Sequence, residues 1–101
     1  MMEDNQAANS QEEDVLSGQV VVANEHGLHA RPAGLVAQRA QGFEADIKLV
    51  NAEQEVDAKS ILDVLTLAAA PGDVLEIRVQ GADAADALAS LTTLFKNKFT
   101  E

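Results

Sequence analysis

Between Glu25 and Ala33, in the order Glu25-His26-Gly27-Leu28-His29-Ala30-Arg31-Pro32-Ala33, the chain gathers both of its histidines, a glycine, an arginine and one of its two prolines. Pro32 reads as the opening residue of a helix, where its missing N–H would have no partner anyway, and residues 33 to 40 continue in a helical pattern. His29 would then stand just ahead of a helix N-terminus. Unpaired backbone N–H groups and the positive end of the macrodipole favour an anion there and disfavour an extra proton on the imidazole. A neutral imidazole is a nucleophile. Attack on phosphorus would leave a dianionic phosphoryl group on the ring, over the amides near Ala30 and Arg31 and within reach of the Arg31 guanidinium. The planar fork of arginine can hold two oxygens at once, which lysine cannot. His26 and His29 together invite a metal reading, but only Glu25 stands beside them and the chain has no cysteine. Zinc ordinarily takes at least three protein ligands, so no metal site is read and His26 is assigned to the loop surface.

The elements that must position this stretch follow from periodicity. Residues 17 to 23 contain the run Val20-Val21-Val22, which reads as a short buried strand. Ala33, Val36, Ala37 and Ala40 recur at helical spacing, with Gly42 expected as a left-handed cap and Phe43 in the core. Ile47 and Leu49 alternate with Asp46 and Lys48, and Asn51-Ala52 marks a tight turn into a second strand over residues 53 to 58. Ser60 is a natural N-cap for a short helix from Ile61 to about Leu67, with Asp63 in its first turn and Pro71-Gly72 as the break. Leu75, Ile77 and Val79 alternate with Glu76, Arg78 and Gln80, the cleanest strand pattern in the chain. Asp83 is expected to cap a last helix whose apolar positions are Ala84, Ala87, Leu88, Leu91, Leu94 and Phe95, with Lys96 and Lys98 at its negative end. The order β-α-β-β-α-β-α implies an α+β open-faced β-sandwich, a four-stranded antiparallel sheet with three helices on one face.

Composition narrows the function classes. The 101 residues, with a formal charge of -10, hold one domain, and the acidity argues against nucleic acid, as does the absence of tryptophan and tyrosine for base stacking. Residues 1 to 14 contribute five acids and no base, leaving twelve acids against seven bases in the remainder. Residues 1 to 16 therefore read as an acidic disordered tail or linker remnant and residues 17 to 101 as the domain, where Arg31 and Arg39 would supply a local positive patch. No apolar run is long enough to span a bilayer, and the absence of cysteine fits a reducing cytoplasm, so no membrane insertion is expected.

His26-Gly27-Leu28-His29-Ala30-Arg31-Pro32-Ala33 closely resembles the active-site signature of HPr, the histidine phosphocarrier family of the phosphoenolpyruvate-dependent sugar phosphotransferase system. The resemblance continues through Gly42-Phe43, Ala58-Lys59-Ser60-Ile61-Leu62 and Pro71-Gly72-Asp73, covering residues 17 to 99. The acidic junction before the domain also resembles those inside multidomain fructose-type phosphotransfer proteins. The resemblance implies phosphorylation of His29 at Nδ1 by enzyme I and passage onward to an enzyme IIA domain, with Arg31 assisting. The protein would be a stoichiometric carrier rather than an enzyme, monomeric and free of cofactors.

The same resemblance assigns Ser60, besides its capping role, as the candidate for regulatory phosphorylation by an ATP-dependent kinase. Leu35, Ile61, Leu62 and Leu65 are more apolar than a solvated surface needs and read as a docking patch around the site. The chain departs from the common family pattern at Gln38, Gln41 and Asp63, where many relatives carry lysine, so steering toward an acidic partner should be weaker. The rival reading is a regulatory docking module that controls a kinase, permease or transcription factor, with phosphorylation of His29 or Ser60 as the switch. An unrelated α+β ligand-binding domain would give no reason for the His-x-Arg-Pro spacing.

Overall fold

The structure, a computed structural model, describes residues 15–100; of the tail expected over residues 1 to 16, residues 1 to 14 lie outside them and Leu16 already belongs to a strand. The elements in chain order are β1 (Leu16–Val21), α1 (Ala30–Gln41), β2 (Asp46–Asn51), β3 (Gln54–Asp57), α2 (Ile61–Thr66), β4 (Val74–Gln80) and α3 (Ala84–Lys96). The strands form one antiparallel sheet in the order β1-β4-β2-β3, so the alternating strand β4 lies inside the sheet.

Its register explains why alternation is cleanest there. Ile77 pairs with Gly18 on one side and Leu49 on the other, and Leu75 pairs with Val20, so these side chains share the face that the helices cover. They pack with Ile47, Val79, Val36, Val64, Leu91, Leu94 and Phe95 into a core whose members are nearly all fully buried. The opposite face holds Gln19, Lys48, Glu55, Glu76 and Arg78, and Arg78 pairs with both Glu76 and Glu55 at 3.1 and 3.2 Å.

Local outcomes differ from the sequence reading in several places. The triplet Val20-Val21-Val22 is not buried throughout: Val20 and Val22 face the core, but Val21 is half exposed on the outer face, as the two-residue side-chain period requires. Strand β1 also begins at Leu16, paired with Val79, one residue earlier than expected. Gly42 is not a left-handed cap, since its φ of -77° lies in the right-handed region, and α1 instead unwinds through tight bonds from the Gly42 and Phe43 amides to Arg39 and Ala40 carbonyls. Helix α2 ends at Thr66, within a residue of the expected Leu67, but Ala68 at φ +49° rather than Pro71-Gly72 turns the chain out of it.

Asp83 occupies the N-cap position of α3 but makes no side-chain cap bond. Its two carboxylate oxygens accept from the Glu44 and Ala45 amides at 2.9 Å each, fastening the start of α3 to the entry of β2. Those amides, Glu44 foremost, hold the carboxyl below its usual range against the opposing effect of desolvation. Ser60 does cap α2, its Oγ accepting from Asp63 N at 3.2 Å.

Candidate functional site

Helix α1 begins two residues earlier relative to its proline than the sequence suggested. His29 is itself the N-cap, in extended backbone (φ -82°, ψ -167°), and Pro32 is the third helical residue rather than the first. Proline is tolerated there because the first intrahelical bond is made only by the next amide, Ala33 N to His29 O at 2.9 Å. Ala30 and Arg31 thus carry the only N–H groups of the first three helical residues, and no acceptor among the described residues takes either of them. The His29 side chain makes no cap bond, so these two donors stay open beside an exposed imidazole. Such a pair of amides is an anion site built from backbone.

The loop that delivers His29 is tied down from below. Leu28, almost fully buried, donates its amide to Ala69 O at 3.0 Å, and Asn24 Nδ2 donates to Gly27 O at 2.7 Å. Gly27 lies at φ +74°, and a Cβ there would stand 2.5 Å from Ala69 O, so glycine is required by both backbone and space. His26 is exposed, 3.9 Å from Glu25, and its ring meets that of His29 edge-on at a centroid distance of 5.8 Å. Among the described residues no group of three or more acidic, histidine or cysteine side chains comes together as a metal cage.

Arg31, on the exposed first turn of α1, donates from Nη1 to Phe99 O at 3.4 Å. Arg39 does not join it. At 1.5 Å per residue it lies about 12 Å further along the axis, and Nη1 donates to Ser90 O and Oγ at 3.1 and 3.0 Å, making a strut between α1 and α3. The expected two-arginine patch reduces to Arg31.

The docking residues divide in the same way. Leu62 is 70% and Ile61 42% exposed, whereas Leu35 and Leu65 are half-buried against the core. Ile61 reaches α1 closely enough that a Cβ on Gly34 would touch its Cδ1 at 3.4 Å. Of the departures from the family pattern, Gln41 donates to Lys59 O at 2.8 Å and Asp63 accepts from Asp57 N at 3.3 Å, so both hold α2 in place, while Gln38 is exposed.

The sequence reading missed two contributors. Asn24 was passed over, although an Asn three residues before a glycine turn is a familiar turn signal. Phe99 was also missed; an apolar residue just past a helix end is the mark of a Schellman cap.

A family model described as the phosphorylation site of the PTS HPr component matches residues 16–97. The chain belongs to the HPr family. An HPr phosphocarrier of Treponema pallidum is 46% identical over 82 residues, covering 81% of this chain and 93% of that protein. A multiphosphoryl transfer protein of Escherichia coli is 38% identical over 82 residues, 78% of this chain but 22% of that longer protein. The crystal structure of an HPr from Thermoanaerobacter tengcongensis superposes with a TM-score of 0.82 at 34% identity, covering 85% of this chain and 97% of its own. The HPr signature thus coincides with the N-terminus of α1, where the His29 side chain leaves the Ala30 and Arg31 amides open.

Proposed function

We propose that this HPr acts in the sugar phosphotransferase system by accepting a phosphoryl group on His29 from phospho-enzyme I and surrendering it to a histidine of an enzyme IIA domain. The observation that carries the reading is the exposed His29 ring at a helix N-cap whose next two amides have no internal acceptor.

The unprotonated Nδ1 attacks phosphorus while the bond from phosphorus to the donor histidine nitrogen breaks, and that nitrogen leaves with the electron pair. The new phosphoryl oxygens accept from Ala30 N and Arg31 N, and the Arg31 guanidinium supplies a charge-assisted contact. Two amides and one arginine are enough to orient the group without making it too stable to leave, as a relay requires. His29 must be discharged before it can accept again, so the chain is a stoichiometric carrier rather than an enzyme.

Ile61 and Leu62 on α2, with Leu35 and Leu65 beneath them, form the apolar part of the surface offered to both partners. Ser60 stands at the head of that helix; a phosphate there would add nearly two negative charges to the docking surface and is the candidate regulatory mark. His29, Ala30 and Arg31 all come from one chain, so a monomer suffices. No helix among the described residues is long and apolar enough to cross a membrane, and a cysteine-free chain working between such partners belongs in the cytoplasm.

Incubation with enzyme I and phosphoenolpyruvate should add one acid-labile phosphoryl group to the intact mass. A modification that persists in His29→Ala, or none in the native chain, overturns the assignment.

A further inference from the structure

The turn that ends α3 packs next to Arg31 and is built against the preferences of its residues. Lys98 N donates to Phe95 O and Phe99 N to Leu94 O, both at 3.0 Å, the bond pair of a Schellman cap. The position that such caps ordinarily give to glycine holds Lys98 at φ +56°, and Phe99 follows it at φ +61°. Both pay the steric penalty of left-handed backbone in an L-residue. The Phe99 ring holds the turn closed: it is 1% exposed and meets Phe95 edge-on at a centroid distance of 4.9 Å. Thr100 locks the far side, its N and Oγ1 donating to Asn97 O at 3.1 and 2.6 Å.

Turned in this way, the backbone presents Phe99 O to Arg31 Nη1 at 3.4 Å, the one hydrogen bond that the Arg31 side chain makes among the described residues. We propose that Phe99 is a positioning residue for phosphoryl transfer: its buried ring pins the left-handed turn whose carbonyl parks the Arg31 guanidinium beside the open amides of α1. The inference rests on the role given above to Arg31. A bond of this length to a neutral oxygen is weak, so a dianionic phosphoryl group on His29 draws the guanidinium away from it. Until then the bond limits the conformations open to the Arg31 side chain, and less ordering is left to the transfer step. No bond forms or breaks at Phe99.

A double-mutant cycle with the full chain tests this. Single-turnover phosphorylation by enzyme I and phosphoenolpyruvate is timed for Phe99→Ala and Phe99→Leu, each alone and with Arg31→Ala. Phe99→Ala should slow transfer by about tenfold, an intermediate value for misplacing a group that contacts the reaction. It should have no effect when combined with Arg31→Ala, and Phe99→Leu should recover most of the rate. Lys98→Val, which opposes the left-handed turn without emptying the core, should reproduce the slowing and keeps the test valid if Phe99→Ala does not fold. Equal slowing in both backgrounds would make Phe99 merely structural and overturn the inference. If Arg31→Ala alone leaves the rate unchanged, the Arg31 assignment itself fails and the inference with it.

Discussion

Gly27 and Gly72 provide a matched pair for asking how tightly the His29 loop is held. Both have left-handed backbone, at φ +74° and +92°, but a Cβ on Gly27 would lie 2.5 Å from Ala69 O and 3.3 Å from Ala70 Cα and Pro71 Cδ, whereas one on Gly72 meets nothing within 4 Å. Alanine at either position incurs the left-handed penalty of roughly 1–2 kcal/mol. At Gly27 the Ala69 carbonyl must also move, and it is the acceptor for the amide of buried Leu28. Leaving that donor unpaired costs a further 1–3 kcal/mol or about that. Gly72→Ala should therefore lose about 1–2 kcal/mol and Gly27→Ala about 2–5 kcal/mol, read from urea unfolding midpoints at a common slope. Because Leu28 adjoins His29, Gly27→Ala should also slow phosphoryl acceptance while Gly72→Ala does not. Equal losses in stability would show that the Ala69 contact is soft and that the loop is not clamped.

Two other outcomes are expected. The Asp83 carboxyl is depressed by the Glu44 and Ala45 amides, so its contribution is fully present above its unfolded value of about 3.9 and is lost as the pH falls through the lower folded value. Asp83→Asn should be less stable at neutral pH and have a shallower acid limb, with the gap to the native chain closing below about pH 4; parallel unfolding curves down to about pH 2.5 would exclude the tether as a source of acid sensitivity. Leu62 is 70% exposed, so Leu62→Asp should change stability by no more than about 0.5 kcal/mol. The same change should raise the KM for phosphorylation by enzyme I about tenfold, and an unaltered KM would remove Leu62 from the docking surface.

Most of the fold was legible because the alternation and helical periods are undisturbed where elements face one core. The buried positions of α1 include every residue its spacing selected, Ala33, Val36, Ala37 and Ala40, with Pro32 added. The ends of elements were less legible, since they depend on partners distant in sequence. Asp83 looks like a helix cap when only its neighbours are considered, but its oxygens go to amides about forty residues earlier, at Glu44 and Ala45. Gly42 looks like a left-handed terminator, yet Asp83 takes up the amides that follow it and no reversal is needed. In the candidate site, the spacing already set His29, Ala30 and Arg31 at the start of a helix, while the roles proposed for them came from the resemblance. What holds Arg31 could not be read, because Phe99 is 68 positions away and acts through its backbone.

The two helices α1 and α2 show what the site requires of its N-terminus. Both N-cap residues have extended backbone, but Ser60 turns its hydroxyl onto the Asp63 amide, whereas His29 makes no such bond. A side-chain cap typically stabilises by about 0.5–2 kcal/mol, and α1 forgoes it. Its stability comes instead from burial along the rest of the helix, from Pro32 to Ala40, since packing of an amphipathic face outweighs end effects. Proline as the third helical residue removes one of the donors that a cap would have satisfied, leaving two open amides rather than three. A serine in place of His29 would close the cap on itself as Ser60 does, removing both the proposed nucleophile and the amides that the proposal gives to its product. Helix α3 also lacks a side-chain cap, but there Asp83 turns its oxygens onto the Glu44 and Ala45 amides; His29 makes no such bond elsewhere among the described residues, and the proposed phosphoryl transfer is what gives the open cap of α1 a use.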